Sequence, residues 1–129
     1  MMENDAFSQW LGIRVLEVSE GFCRLSMTVR REMLNGFSIA HGGITFSLAD
    51  SALAFASNSF GRKAVSIETS IHHLEKVEVN DVLIAECRLE YQSEKFGHYS
   101  VKVFVEKKEL QNPVAFFKGI VYRTSRNWE

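Results

Sequence analysis

The sequence predicts an α+β fold: a curved antiparallel β-sheet wrapped around one long central helix. Three observations carry that prediction. From 42 to 61 the chain reads GGITFSLADSALAFASNSFG, apolar almost all round, the pattern of a helix enclosed by other structure. On either side of it, apolar and polar residues alternate with the period of strands that bury one face. A single long apolar helix is available to cover that face, and helix against sheet is the simplest layered solution.

The elements follow in order. Residues 5–11 (DAFSQWL) open on Asp5, a good N-cap, and read as a short helix. A strand is expected near 13–18, then a turn at Ser19-Glu20-Gly21. Over 22–30, Cys23, Leu25, Met27 and Val29 alternate with Arg24, Ser26, Thr28 and Arg30. Residues 31–41 are irregular. The apolar helix spans 43–59 and stops near Gly61. Four more strands are expected at 64–74, 82–92, 98–106 and 114–124. In the second of these, Leu83, Ala85, Cys87, Leu89 and Tyr91 share a face; in the third, Tyr99, Val101, Val103 and Val105 do. Turns at 94–97 and 107–113 join neighbours as hairpins.

With 129 residues, the chain is expected to form one domain over 1–129. A net charge of -1 gives no electrostatic case for nucleic acid or an anionic membrane as partner. Two cysteines, Cys23 and Cys87, lack metal-type spacing and read as reduced core thiols. No basic-then-apolar leader opens the sequence, so the expected location is cytoplasmic. His72 and His73 are adjacent on a strand and point to opposite faces, so they do not bind one metal together. No metal site is expected. P-loop, GxSxG and dinucleotide patterns are absent from the sequence.

Asp50 is the only ionisable side chain between 42 and 61. A carboxylate on an apolar helix calls for a partner or a task. The same helix opens on His41-Gly42-Gly43, where backbone N–H groups lack helical partners and the helix dipole is positive. An acid and a backbone anion trap on one helix suggest acyl chemistry.

The run LNGFSIAHGGITFSLADSALAFASNSFG resembles the acyl-CoA thioesterases of the hot dog fold, most closely the phenylacetate-pathway (PaaI-like) branch of the 4-hydroxybenzoyl-CoA thioesterase superfamily. The pattern is Asn35-x5-His41-Gly42-Gly43-x6-Asp50, then Asn58-x2-Gly61. It continues through Ala64-Val65-Ser66-Ile67, Asp81-x-Leu83 and Phe117-x-Gly119, and covers roughly residues 10–124. Two departures concern the pocket or the coenzyme A contacts. His73-Leu74-Glu75-Lys76 stands where many relatives have aromatic-Leu-basic-Pro, and Asn80-Asp81 where they often have Gly-Asp.

The resemblance implies hydrolysis of an acyl-CoA thioester, of aryl-acetyl, hydroxyphenylacetyl or medium-chain type, to free acid and coenzyme A. Gly42 N–H, with Gly43, would hold the thioester oxygen. Asp50 would be the general base for water or the nucleophile forming an acyl anhydride. Asn35 would orient the carbonyl or the water. His41 would either fix the loop or contact the thioester. Ser66, at a small-hydroxyl position that faces the acid across a dimer, would position the water. The acyl pocket is expected beside Phe46, Leu53 and Ala54. No cofactor is needed, because coenzyme A is part of the substrate.

Asp50 lies eight residues after Gly42, roughly 12 Å along the helix. That is too far for both to act on one carbonyl, so the site is expected to need a homodimer with antiparallel helices. Resemblance extends this to a homotetramer. The competing reading is a non-catalytic acyl-CoA-binding or regulatory module on the same fold. Replacing Asp50 separates the two.

Overall fold

In the structure, a computed structural model that describes residues 1–108 and 112–128, the strands form one six-stranded antiparallel sheet. The elements in chain order are α1 (Ala6–Leu11), β1 (Arg14–Ser19), β2 (Phe22–Thr28), α2 (Gly42–Ser57), β3 (Arg62–His73), β4 (Val82–Gln92), β5 (Phe96–Val105) and β6 (Ala115–Asn127). Strand order is β1-β2-β4-β5-β6-β3. The long helix therefore carries the chain across the whole sheet, from β2 near one edge to β3 at the other. Of the two hairpin turns expected, the one at 107–113 includes residues 109–111, which lie outside the described residues. Strands β5 and β6 still pair, with Phe96 opposite Tyr122 and Val103 opposite Ala115.

The alternating residues sort as their period requires except Tyr91, which a register shift after Leu89 leaves 65% exposed. Cys23, Leu25, Met27, Val29, Leu83, Ala85, Cys87, Tyr99, Val101 and Val103 are buried against α2. The motif residues Phe117 and Gly119 of β6 are explained by the same layer. Phe117 is buried and meets Phe46 edge-on at 5.4 Å. Gly119 has no side chain because Leu53 fills its place: a Cβ there would lie 2.5 Å from Leu53 Cδ2. Cys23 and Cys87, distant in sequence, stand opposite each other in the β2–β4 register, both buried and free. Burial pushes the Cys23 thiol up to about 12 and raises the Cys87 thiol as well.

The outer face departs from simple alternation. Ile84 and Phe104 are directly opposed on β4 and β5 and are buried there, with the Arg24 guanidinium over the Phe104 ring. Single-strand periodicity cannot reveal this, because the cover comes from a neighbouring strand's side chain. At the N-terminus, Asp5 caps α1 by accepting from Ser8 N–H at 3.0 Å. The Ser8 and Ser51 hydroxyls share a hydrogen bond of 2.8 Å, which docks α1 on α2 beside Asp50.

Expected to be enclosed all round, α2 instead keeps one stripe uncovered. Gly43, Ser47, Asp50, Ala54 and Asn58 are exposed or half-buried, and their spacing follows one line along a helix. The sheet curls around the helix and leaves this line open beside β3, which it meets where Asn58 bonds Ala64. Nearby, β3 is an edge strand with Val65 and Ile67 exposed at 56% and 57%. Among the described residues no helix is long and apolar enough to cross a membrane.

Candidate active site

The start of α2 is built by the loop before it. His41 is the N-cap, extended at φ -63 and ψ 139. Its Nδ1 accepts the Gly43 N–H at 2.9 Å, which requires that nitrogen to carry no proton. The Gly43 donor is thereby occupied. Gly42 is the first helical residue, and among the described residues no protein acceptor meets its N–H. Of the two glycines, Gly42 is thus the one with a donor left for a ligand.

Asn35 shapes the same loop. Its Oδ1 accepts from Phe37 N–H at 2.8 Å and Ile39 N–H at 3.4 Å, and nothing among the described residues accepts from its amide nitrogen. Asn35, Gly42, Thr45 and His73 line one cavity of about 360 Å³. His73 packs its ring against Gly42: a Cβ on that glycine would lie 3.2 Å from Nε2. His72 turns to the outer face beside Glu86 and Lys102. The imidazole at the helix start was not singled out by the sequence, since adjacency on a strand says that the two histidines diverge but not which one meets the helix.

Asp50 opens into a different cavity, of about 410 Å³, together with Leu53, Ala54 and Ser66. Partial burial holds its carboxyl above the usual aspartate range, and the Asp5 charge on α1 adds to that. Ser66 lines this cavity on the same chain as Asp50. Leu53 and Ala54 are among its walls, whereas Phe46, expected beside them, is not and packs on Phe117. Sequence reasoning did not place several other residues in this cavity, among them Asn58, Lys63, Trp128 and Met1. The Asn58-x2-Gly61 spacing held a signal for the first. Asn58 caps α2, donating to Ala54 O at 2.8 Å and Ala64 O at 3.1 Å, and its Oδ1 accepts Ala64 N–H at 2.9 Å. Arg62 is absorbed by structure, bonding Thr124 O, Arg123 O and Glu94. Among the described residues no group of three or more His, Cys, Asp or Glu side chains could hold a metal ion.

One chain therefore carries a helix start with an unpartnered N–H in one cavity and a carboxylate with apolar neighbours in another. The class of protein is given by the comparison with known families. Residues 37–111 match the thioesterase superfamily model. The chain belongs to the thioesterase superfamily, with its hot dog fold, and is an enzyme of that class.

Within the superfamily it is PaaI-like. It is 39% identical to the acyl-coenzyme A thioesterase PaaI of Escherichia coli (strain K12), covering 95% of this chain and 86% of the relative. It is 38% identical to a putative esterase of Archaeoglobus fulgidus, covering 99% of this chain and 81% of the relative. The solved structure of E. coli PaaI, from the phenylacetic acid degradation operon, superposes with a TM-score of 0.93 at 38% identity, covering 98% of this chain and 90% of that one.

Proposed function

We propose that this protein hydrolyses acyl-CoA thioesters with an aryl-acetyl, hydroxyphenylacetyl or medium-chain acyl group, releasing free acid and coenzyme A. The observation that carries this reading is the division of the two half-sites along α2. Gly42 and Asn35 share one cavity, Asp50 and Ser66 another, and eight residues of helix, roughly 12 Å, separate donor from acid. A homodimer with antiparallel α2 helices brings the Gly42 half of one subunit to the Asp50 half of its partner, twice. The uncovered stripe of α2 supports it, since Gly43 and Ser47 at its start let a second helix approach closely. The unpaired edge of β3, with exposed Val65 and Ile67, offers a second zone of cover.

In the mechanism, Gly42 N–H donates to the thioester oxygen where negative charge develops. Asp50 either takes a proton from water as that water attacks, or attacks the carbonyl itself. On the first route the C–S bond breaks, its electron pair stays on sulfur, and the proton taken up by Asp50 completes the thiol; on the second the C–S bond breaks to leave an acyl–Asp50 anhydride, solvent protonates the departing thiolate, and water then cleaves the anhydride to release the free acid and the Asp50 carboxylate. Asn35 orients the carbonyl or water through its free amide nitrogen, and Ser66 holds the water beside Asp50. His41 acts through the loop, by capping Gly43. No cofactor takes part, coenzyme A entering and leaving within the substrate. The protein acts in the cytoplasm as one domain per chain, its dimers pairing into a homotetramer, with neither nucleic acid nor membrane as partner.

The test is thiol release from aryl and aliphatic acyl-CoAs by wild type and Asp50→Asn. A general base contributes about 10²–10⁴-fold, and the variant should lose turnover on that scale while still binding the ester. Mixing Asp50→Asn with Gly42→Pro chains then probes site sharing. Hybrid dimers hold one intact site of two, so random exchange should restore about a quarter of wild-type activity. Binding without turnover by wild type would leave an acyl-CoA-binding module, and absence of recovery in the mixture would refute the shared site.

A further inference from the structure

The cavity beside Asp50 has a built end. It runs along α2 from Asp50 to Asn58, eight residues or roughly 12 Å of helix, with Leu53, Ala54, Val65 and Val121 as its apolar walls. At the Asn58 end stands Trp128. Its indole is held from two directions. Its Nε1 donates to Asn58 Oδ1 at 3.0 Å, and its backbone N–H to Gly61 O at 2.9 Å. The Lys63 ammonium lies 5.1 Å from the ring centroid, a cation–π contact. Asn58 is itself fixed by its bonds to Ala54 and Ala64, so the indole is tied to the amide that joins the end of α2 to β3. These bonds fix where the indole sits along the cavity, with 45% of the residue left exposed.

We infer that Trp128 determines acyl specificity in this protein, closing the end of the cavity remote from Asp50 and limiting the length of acyl chain admitted. The inference rests on the thioesterase reading above and adds to it the residue that discriminates between substrates. An indole anchored at the end of a trough of this length favours a compact acyl group that ends in a ring, because two aromatic rings gain from edge or offset contact. A long flexible chain meets the wall before its carbonyl reaches the position between donor and acid.

The experiment compares kcat/KM for phenylacetyl-CoA and decanoyl-CoA in wild type, Trp128→Ala and Trp128→Phe. Wild type should prefer the aryl substrate. Opening the end in Trp128→Ala should shift the ratio of the two constants toward decanoyl-CoA by about tenfold, the scale of a lost aromatic contact. Trp128→Phe, which keeps a ring but not the bond to Asn58, should shift it less and in the same direction. It carries the test if the alanine variant unfolds. An equal fall on both substrates, with the ratio unchanged, would mean that Trp128 only anchors the chain, and would overturn the inference while leaving the thioesterase reading intact. Wild type that turns over neither ester overturns both.

Discussion

Replacing Gly42 by proline removes one N–H from α2 and disturbs little else. Gly42 is the first helical residue, a position whose N–H has no helical partner and where proline's fixed φ is already suitable. His41, which would precede the proline, sits at φ -63 and ψ 139, inside the extended region that such a residue needs. The new Cβ would lie 3.2 Å from His73 Nε2 and 3.3 Å from Cε1. His73 is exposed, so its ring can give way. Gly42→Ala adds the same Cβ but keeps the N–H, and the difference between the two variants isolates the donor. Removing one oxyanion donor costs about 10²–10³-fold in kcat, or roughly 3–4 kcal/mol of transition-state stabilisation. Steady-state thiol release should therefore place kcat of Gly42→Pro at least about 100-fold below that of Gly42→Ala. Thermal unfolding should show the proline variant as stable as the alanine one to within about 1 kcal/mol. A proline variant as active as the alanine variant would refute the claim that this N–H polarises the carbonyl.

The Asp50 carboxyl is held above its ordinary range by burial and then by Asp5, so the folded chain keeps its proton at pH values where the unfolded chain has released it. Stability then falls as pH rises through that interval. Asp50→Asn should accordingly melt higher than wild type at neutral pH, the gap closing below the ordinary aspartate range, while turnover is lost; a variant that melts lower at neutral pH would contradict this. For the same reason the rising limb of the kcat/KM pH profile should have its midpoint above the ordinary aspartate range. Gly119→Ala places a Cβ 2.5 Å from Leu53 Cδ2 and 3.2 Å from Cδ1. Overpacking of about 1–3 kcal/mol, less about 0.5–1 kcal/mol for replacing a strand glycine, leaves a net loss of up to about 2.5 kcal/mol and centred on about 1 kcal/mol. Melting at fixed protein concentration should detect it, Leu53 should turn into the Asp50 cavity and weaken bulky acyl substrates, and an unchanged melting point would count against the packing described.

Most elements were legible in the sequence, and so were the candidates Asp50, Gly42 and Gly43. Period-two alternation placed β2, β4 and β5 with their buried faces, because side-chain direction in a strand is a local property. The lone Asp50 and the glycines at the start of α2 were legible for a similar reason: a charge or a glycine in an apolar run has a local cost that asks for an explanation. Only the tertiary structure decided what those residues meet. It put Cys23 opposite Cys87, buried Ile84 under the outer face, left one stripe of α2 bare, and occupied the Gly43 donor with His41. It also set His73 against Gly42 and brought Trp128 to Asn58 across 70 residues of chain. Such contacts depend on strand order and register, which are chosen by the packing of the whole sheet against the helix rather than by any window of sequence.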